Sequence, residues 1–367
     1  MPAPLYLGLI SGTSADGIDA ALVRFEPRLE LVGARTTPYP DALRARVLSL
    51  ATADGRIALD DYGTLDTALG ACFADAALAL LQETGADRAD VAAIGSHGQT
   101  VRHRPTGEHP FTLQIGDAAV IAERTRIPVV SDFRRADLAA GGQGAPLLPA
   151  LHAGLFASTD TTRVILNLGG IANITVLAPG RDVLGFDTGP ANCLSDAWTL
   201  RHRGTPRDEG GAFAKSGRVD RELLAALLSD SYFAAPPPKS TGREYFNLDW
   251  LDARLRKDVA PADVQATLLA LTAITIADAI RAAAPAAREV FACGGGVHNA
   301  ALMEALRTAL APATVQSTAS LGLDPDYVEA TGFAWLARAR LAGVAGNLPA
   351  VTGARGPRIL GAIHAAP

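Results

Sequence analysis

The feature that most constrains the fold is a pattern of runs that begins twice. Three short apolar runs, at residues 5–10, 18–25 and 29–37, follow one another with turns between them, and helical spacing then takes over at 41–50 and 59–83. Short strands return at 91–94 and 112–115. From residue 164 the same order restarts, with strands at 164–168, 172–177 and 183–186 arranged around a Gly169-Gly170 turn. Helices follow at 192–201, 221–228, 262–284, 299–310 and 325–341, interrupted by a strand at 290–292. No residue identity links the halves, so the repeat is one of pattern alone. It predicts an α/β chain of two related domains facing each other across a cleft. The boundary is expected near residues 127–131, giving domains 1–128 and 129–367, the C-terminal tail being free to pack back on the first.

The 367 residues suffice for two cores of ordinary size, and 49% hydrophobic with 19% charged residues describes a globular chain. A net charge of −5 supplies no basic field for nucleic acid or an anionic membrane. Cys72, Cys193 and Cys293 lack the paired spacing of a zinc site or disulfide framework, so reduced thiols are expected. The Met1-Pro2-Ala3-Pro4 start has no signal-peptide pattern, and no uninterrupted apolar run reaches the ~20 residues of a membrane span. The expectation is a cytoplasmic protein with no membrane or nucleic-acid partner.

Gly8 to Asp19 reads G-L-I-S-G-T-S-A-D-G-I-D and follows the first apolar run. A turn rich in Gly, Ser and Thr and closed by two carboxylates can wrap backbone N–H groups round a polyphosphate while an Asp reaches its magnesium ion. A hairpin turn uses the same residue types. A Walker loop needs a Gly-Lys-Ser/Thr ending, and the only lysines are Lys215, Lys239 and Lys257, which also removes the protein-kinase pattern. Asn167-Leu168-Gly169-Gly170 is a second glycine turn. Cys293-Gly294-Gly295-Gly296 follows a strand and opens a helix, where a flat ligand or phosphate can lie against the backbone. Three such turns, two at the starts of the halves and one late, suit one nucleotide.

These loops, in this order, resemble the actin, hexokinase and Hsp70 ATPase superfamily. More closely, the chain resembles the anhydro-N-acetylmuramic acid kinase family along almost its whole length, through Gly8 to Asp19, Ser96-His97-Gly98-Gln99-Thr100, Asp132-Phe133-Arg134, Asn167 to Thr175 and Phe186-Asp187-Thr188-Gly189-Pro190. Further matches are Ala140 to Leu147, Pro237 to Glu244, Cys293 to Asn299, Glu329-Ala330 and Gly346 to Pro349. One departure is Ala191, where the family pattern has glycine.

The resemblance implies two actin-like domains, ATP and Mg2+ as cofactors, and a homodimer. It implies an ATP site built from Gly12, Thr13, Ser14, Ala15, Asp16, Gly17, Ile18, Asp19, Asn167, Gly169, Gly170, Gly294, Gly295 and Gly296. Asp16 and Asp19 are the metal candidates, one of them expected to be merely structural. The sugar contacts would be His97, Gln99, Thr100, Arg134 and Glu329, with Arg134 or its neighbour Arg135 on the lactyl carboxylate. Asp187, at the end of an apolar run, is the expected general base, a helix N-cap being its bland alternative. Lys239 is expected either to close over the cleft or to be an exposed loop lysine. The implied reaction phosphorylates O6 of 1,6-anhydro-N-acetylmuramic acid while water opens the ring at C1, in peptidoglycan recycling. Another sugar or acyl kinase of the superfamily, or a non-catalytic ATP-driven switch, is the alternative.

Overall fold

The structure is a computed structural model that describes residues 3–12, 15–52, 57–237 and 239–367, so Thr13 and Ser14 of the expected phosphate loop lie outside the described residues. In chain order the first elements are β1 (Leu5–Ser11), β2 (Gly17–Arg24), β3 (Glu30–Pro38), α1 (Asp41–Thr52) and α2 (Leu59–Thr84). Next come β4 (Val91–Arg104), β5 (Phe111–Ile115), α3 (Ala118–Thr125), β6 (Val129–Ser131), α4 (Arg135–Ala139) and α5 (Leu148–Phe156). The middle of the chain forms β7 (Arg163–Leu168), β8 (Ile171–Leu177), β9 (Leu184–Pro190), α6 (Asn192–Arg203), α7 (Ala212–Lys215), α8 (Arg221–Leu228), α9 (Ser231–Ala234), α10 (Leu248–Asp252) and α11 (Pro261–Ala283). The last elements are β10 (Glu289–Cys293), α12 (Ala300–Leu310), β11 (Thr314–Ser317), α13 (Val328–Leu341), α14 (Pro349–Thr352) and β12 (Ala362–His364). The expected α/β class is what forms, and it forms round two sheets.

The chain divides into one unit of Met1–Leu151 with Tyr327–Pro367 and another of His152–Asp326. The break therefore falls at Leu151 rather than near residues 127–131, because β6 pairs with β4 on one side and β12 on the other and so belongs to the first sheet. The first unit's sheet runs β12-β6-β4-β1-β2-β3, with β5 also on β4. Leu65, Leu69, Phe73 and Leu80 of α2 are at most 1% exposed against that sheet, each stabilising the fold by roughly 2 kcal/mol. Helix α13 lies on β1 and β4 because both strands carry glycine at the crossing. A Cβ on Gly8 would stand 1.7 Å from the Ala330 carbonyl oxygen, and one on Gly95 1.9 Å from that of Phe333. This close approach brings a C-terminal helix, and Glu329 in its first turn, onto the N-terminal sheet.

In the second unit the order is β11-β10-β7-β8-β9, with α11 and α12 packed on it. Strand β9 continues through Asp187 to Pro190 instead of ending at residue 186. A bulge at Thr188 of β9, the extra residue between the pairs Asn173–Asp187 and Ala172–Gly189, keeps the ladder in step past Asp187, and Gly189, at φ 143, takes a conformation that side chains disfavour. Ala191 has φ −105, so the alanine at this position demands no glycine geometry. It is buried, and its carbonyl accepts from Thr272 Oγ1 on α11.

Helices α2 and α11 are long and apolar enough, by length and composition, to cross a membrane, although charged residues interrupt the apolar run in each. About half of each is buried inside its own unit, as core helices are. The three cysteines are free thiols, as expected.

Candidate functional site

In the first unit, the turn after β1 closes with Ala15 N–H donating to Gly12 O (3.1 Å), Ala15 taking a left-handed φ of 50. Asp16 is exposed and forms an ion pair with Arg44 (2.7 Å). Asp19 is half-buried in β2 and accepts from Thr36 Oγ1 (2.6 Å). Its neighbour Ile18 is 1% exposed and belongs to the core, and Gly17 is glycine because a Cβ there would meet Thr37 O at 2.8 Å. The loop therefore offers backbone and carboxylates rather than these two side chains.

His97, Gln99 and Thr100 do not follow a strand, as expected from hydropathy, but lie within β4, where pairing to β1 and β5 hides polar residues. Gln99 is 1% exposed and its amide nitrogen donates to Gly12 O (3.1 Å), so it braces the glycine loop, while its Oε1 has no partner among the described residues. Thr100 Oγ1 accepts from Gln114. His103 is half-buried and bonded to Thr112, and His109 is exposed.

The His97 ring is buried, tilted against Phe333 with centroids 4.6 Å apart, and fixed at both nitrogens. Arg134 Nε–H reaches Nε2 (3.0 Å), which must accept, so Nδ1 carries the proton and donates to Gly98 O (3.0 Å). Burial first, and the Arg134 charge second, hold its pKa well below the usual histidine value, and the ring is neutral. Arg134 also donates to Gly144 O (2.9 Å) and leaves Nη2 uncommitted among the described residues. Burial pushes its guanidinium down to about 10, against an opposing pull from Glu329. The preceding Asp132 has a left-handed φ of 57, a strained turn that seats Phe133 in the core and Arg134 beside His97. Arg135 is exposed and paired with Asp132 at 3.5 Å, so of the two arginines Arg134 alone joins this cluster. Glu329 completes it, solvent-accessible yet crowded by protein. Desolvation first and Asp19 second raise its pKa, and Arg134 lowers it.

In the second unit, Asp187 does not cap α6, whose N-cap is Ala191 with no side-chain bond. Its Oδ2 accepts from Thr241 N–H (3.0 Å), the only donor to the carboxylate among the described residues. Its main chain is held on both sides: Asp187 N–H donates to Lys239 O (3.1 Å), and Tyr232 Oη donates to Asp187 O (2.8 Å). Burial raises the carboxyl from 3.8 to about 6, the Thr241 bond opposing the shift and Glu244 adding to it. A half-buried carboxylate of that pKa, with one oxygen uncommitted among the described residues, suits a general base near neutral pH. Lys239 is half-buried and does not hang in solvent. It is turned back onto α9, with Nζ on Tyr232 O (3.0 Å) and Phe233 O (3.2 Å).

The two glycine turns of this unit divide the same way. The Gly169 and Gly170 carbonyls accept from the first N–H groups of α6, and a Cβ on Gly170 would meet Arg243 Nε at 2.8 Å. In the late loop a Cβ on Gly294 would meet Asn167 Oδ1 at 2.5 Å and one on Gly296 Leu168 Cβ at 2.6 Å, whereas a Cβ on Gly295 would meet nothing within 4 Å. The loop opens into a single 3-10 turn, Gly295–His298, before α12, whose N-cap is Asn299.

Thr241, Tyr232 and the true orientation of Lys239 escaped sequence reasoning. Thr241 acts through its backbone N–H, which no residue type announces. The family match over residues 237–244 is the one signal that marked the segment.

Comparison with known proteins decides the family. The sequence signature of the family described as anhydro-N-acetylmuramic acid kinase matches residues 4–366. This chain belongs to that family. It is 56% identical to the anhydro-N-acetylmuramic acid kinase of Xanthomonas campestris pv. campestris over 99% of the chain and 98% of the relative. To the protein of that name from Chromohalobacter salexigens it is 50% identical over 99% of the chain and 100% of the relative. A solved structure, component A of (R)-2-hydroxyglutaryl-CoA dehydratase from Acidaminococcus fermentans, covers 90% of the chain and 96% of its own with a TM-score of 0.49 at 11% identity.

Proposed function

We propose that the chain phosphorylates O6 of 1,6-anhydro-N-acetylmuramic acid with ATP while water opens the anhydro ring at C1, giving N-acetylmuramic acid 6-phosphate and ADP. The observation that carries this reading is Asp187 in a family member: a half-buried carboxylate with a pKa raised to about 6 and a single protein donor among the described residues. Asp187 takes a proton from water as its oxygen attacks C1. The C1–O6 bond breaks, and O6 accepts the γ-phosphoryl group as ADP leaves. Arg134 would meet the lactyl carboxylate through Nη2, because a guanidinium matches a carboxylate in plane and charge. Neutral His97 holds that arginine in position, and Glu329 would accept from a sugar hydroxyl.

ATP would lie against the Gly12–Asp19 backbone, the Asn167–Gly170 turn and Gly294–Gly296, with the space beside Gly295 left for ligand. Hydrated magnesium fits Asp19 better than Asp16, since Arg44 already compensates Asp16 while Asp19 and Glu329 build a local negative field. When bound, that ion neutralises phosphate charge. A cytoplasmic homodimer is part of the same reading and follows the family resemblance. Turnover in oxygen-18 water tests the chemistry: label at C1 of the product and none in its phosphate is expected. Label in phosphate, from ATP hydrolysis or attack on phosphorus, would sink the coupled mechanism.

A further inference from the structure

Strand β9 is the edge of its sheet, so the side of Asp187 away from β8 has no strand to pair with among the described residues. The segment around Lys239–Thr241 takes that place, accepting from Asp187 N–H through Lys239 O and donating to Asp187 Oδ2 through Thr241 N–H. What keeps this short segment on the edge is a closed ring of three residues. Asp187 O accepts from Tyr232 Oη, Tyr232 O accepts from Lys239 Nζ, and Lys239 O accepts from Asp187 N–H. The ammonium has a second carbonyl, Phe233 O, and stands 4.8 Å from the Tyr232 ring centroid, so it is held where the four-residue helix α9 ends. α9 is itself anchored, because Asp230, 3% exposed in its side chain, accepts from Tyr232 N–H, Tyr245 Oη, Trp250 Nε1 and Arg254 Nη2.

We propose that Lys239 is a positioning residue for Asp187, stapling residues 239–241 to the end of α9 so that the Thr241 N–H stays on the carboxylate. Lys239 touches no reacting atom in this proposal, which rests on Asp187 being the base. The charged and titratable groups that face Asp187 are few. Glu244 acts on the carboxylate and raises its pKa, Tyr232 binds the main-chain carbonyl, and the residue opposite on β8 is the neutral Asn173. Arg243 of the same loop is turned toward Gly170. The Thr241 N–H is the group that lowers the carboxyl, so releasing it moves the base upward.

The test is the pH profile of kcat for wild type, Lys239→Met and Lys239→Arg, with ATP, magnesium and the anhydro sugar. In Lys239→Met the acid limb should move up by about one pH unit and kcat on the plateau should fall by roughly tenfold, with both KM values within about twofold of wild type. Lys239→Arg, which can still donate to the α9 carbonyls, should recover most of both changes. Tyr232→Phe cuts a different link of the same ring and should move the limb in the same direction, so the inference stays testable if the Met variant is poorly folded. A Lys239→Met limb that superimposes on wild type overturns the inference, as does a rise in sugar KM at unchanged kcat, which would make Lys239 a substrate contact. Failure of the underlying reading looks different: Asp187→Asn would then keep the wild-type limb.

Discussion

Replacing Asp187 by Asn should make the folded protein more stable at alkaline pH while removing its activity. In the folded state the carboxyl is raised from 3.8 to about 6, so the native protein holds that proton more tightly than the unfolded chain does. Stability then falls as pH rises from about 4 to about 6, because the native state binds more protons than the unfolded state throughout that window. Above it both states are ionised and the penalty is fully present; below about pH 4 both are protonated and it vanishes. A rise of that size corresponds to roughly 3 kcal/mol, which partial solvent access to this half-buried group reduces to about 1–2 kcal/mol. Asparagine is neutral at every pH, and its amide oxygen can still accept from Thr241 N–H. The variant should therefore melt about 2–6 °C higher than wild type at pH 8, and within about 1 °C of it at pH 4. Circular dichroism melts of ligand-free protein at the two pH values measure this directly. At the same time kcat should drop by roughly 10² to 10⁴, the usual worth of a general base. A variant that is less stable at pH 8, or one whose difference from wild type is the same at both pH values, would refute the desolvated-carboxylate argument.

Two further outcomes separate sugar recognition from nucleotide binding. Arg134→Ala should weaken the anhydro-muramic substrate by about 2–5 kcal/mol without altering ATP affinity, and should abolish most of the preference over the corresponding anhydro-glucosamine sugar, which has no lactyl carboxylate; an unchanged preference would move that role to another residue. Gly295→Ala meets no protein atom within 4 Å, so its melting temperature should match wild type to about 1 °C while the KM for ATP rises at least about tenfold, whereas Gly8→Ala, with its Cβ 1.7 Å from Ala330 O, should destabilise the fold by about 2 kcal/mol or more. An unchanged ATP KM in Gly295→Ala would place the nucleotide elsewhere.

The local order of the elements was legible because it follows from periodicity. The strands at 5–10, 18–25 and 164–168 are short apolar runs bounded by turn residues, the helices on residues 59–83 and 262–284 repeat every three to four residues, and those signals need no partner. The polar stretch Ser96–Thr100 was not legible as strand, since its burial comes from β1 and β5 flanking it rather than from its own apolarity. β9 ran past Asp187 for a reason that the apolar run 183–186 does not announce: a one-residue bulge at Thr188, followed by Gly189 at φ 143, keeps the ladder to β8 going.

The chemical identity of the site residues was determined by the sequence: an Asp before a Thr-Gly-Pro turn, a loop of small residues with two carboxylates, and an Asp-Phe-Arg segment are choices of atom type. Their protonation and duty were decided by the tertiary structure. His97 is neutral because burial first, and Arg134, 37 residues away in the chain, second, hold its pKa down. Gln99 braces Gly12 through its amide nitrogen, and the Asp187 carboxyl rises to about 6 through burial. Glu329 joins the N-terminal sheet across more than 300 residues because two glycines let α13 lie against it. Hydrogen-bond partners and desolvation depend on groups distant in sequence, which only the folded chain brings together.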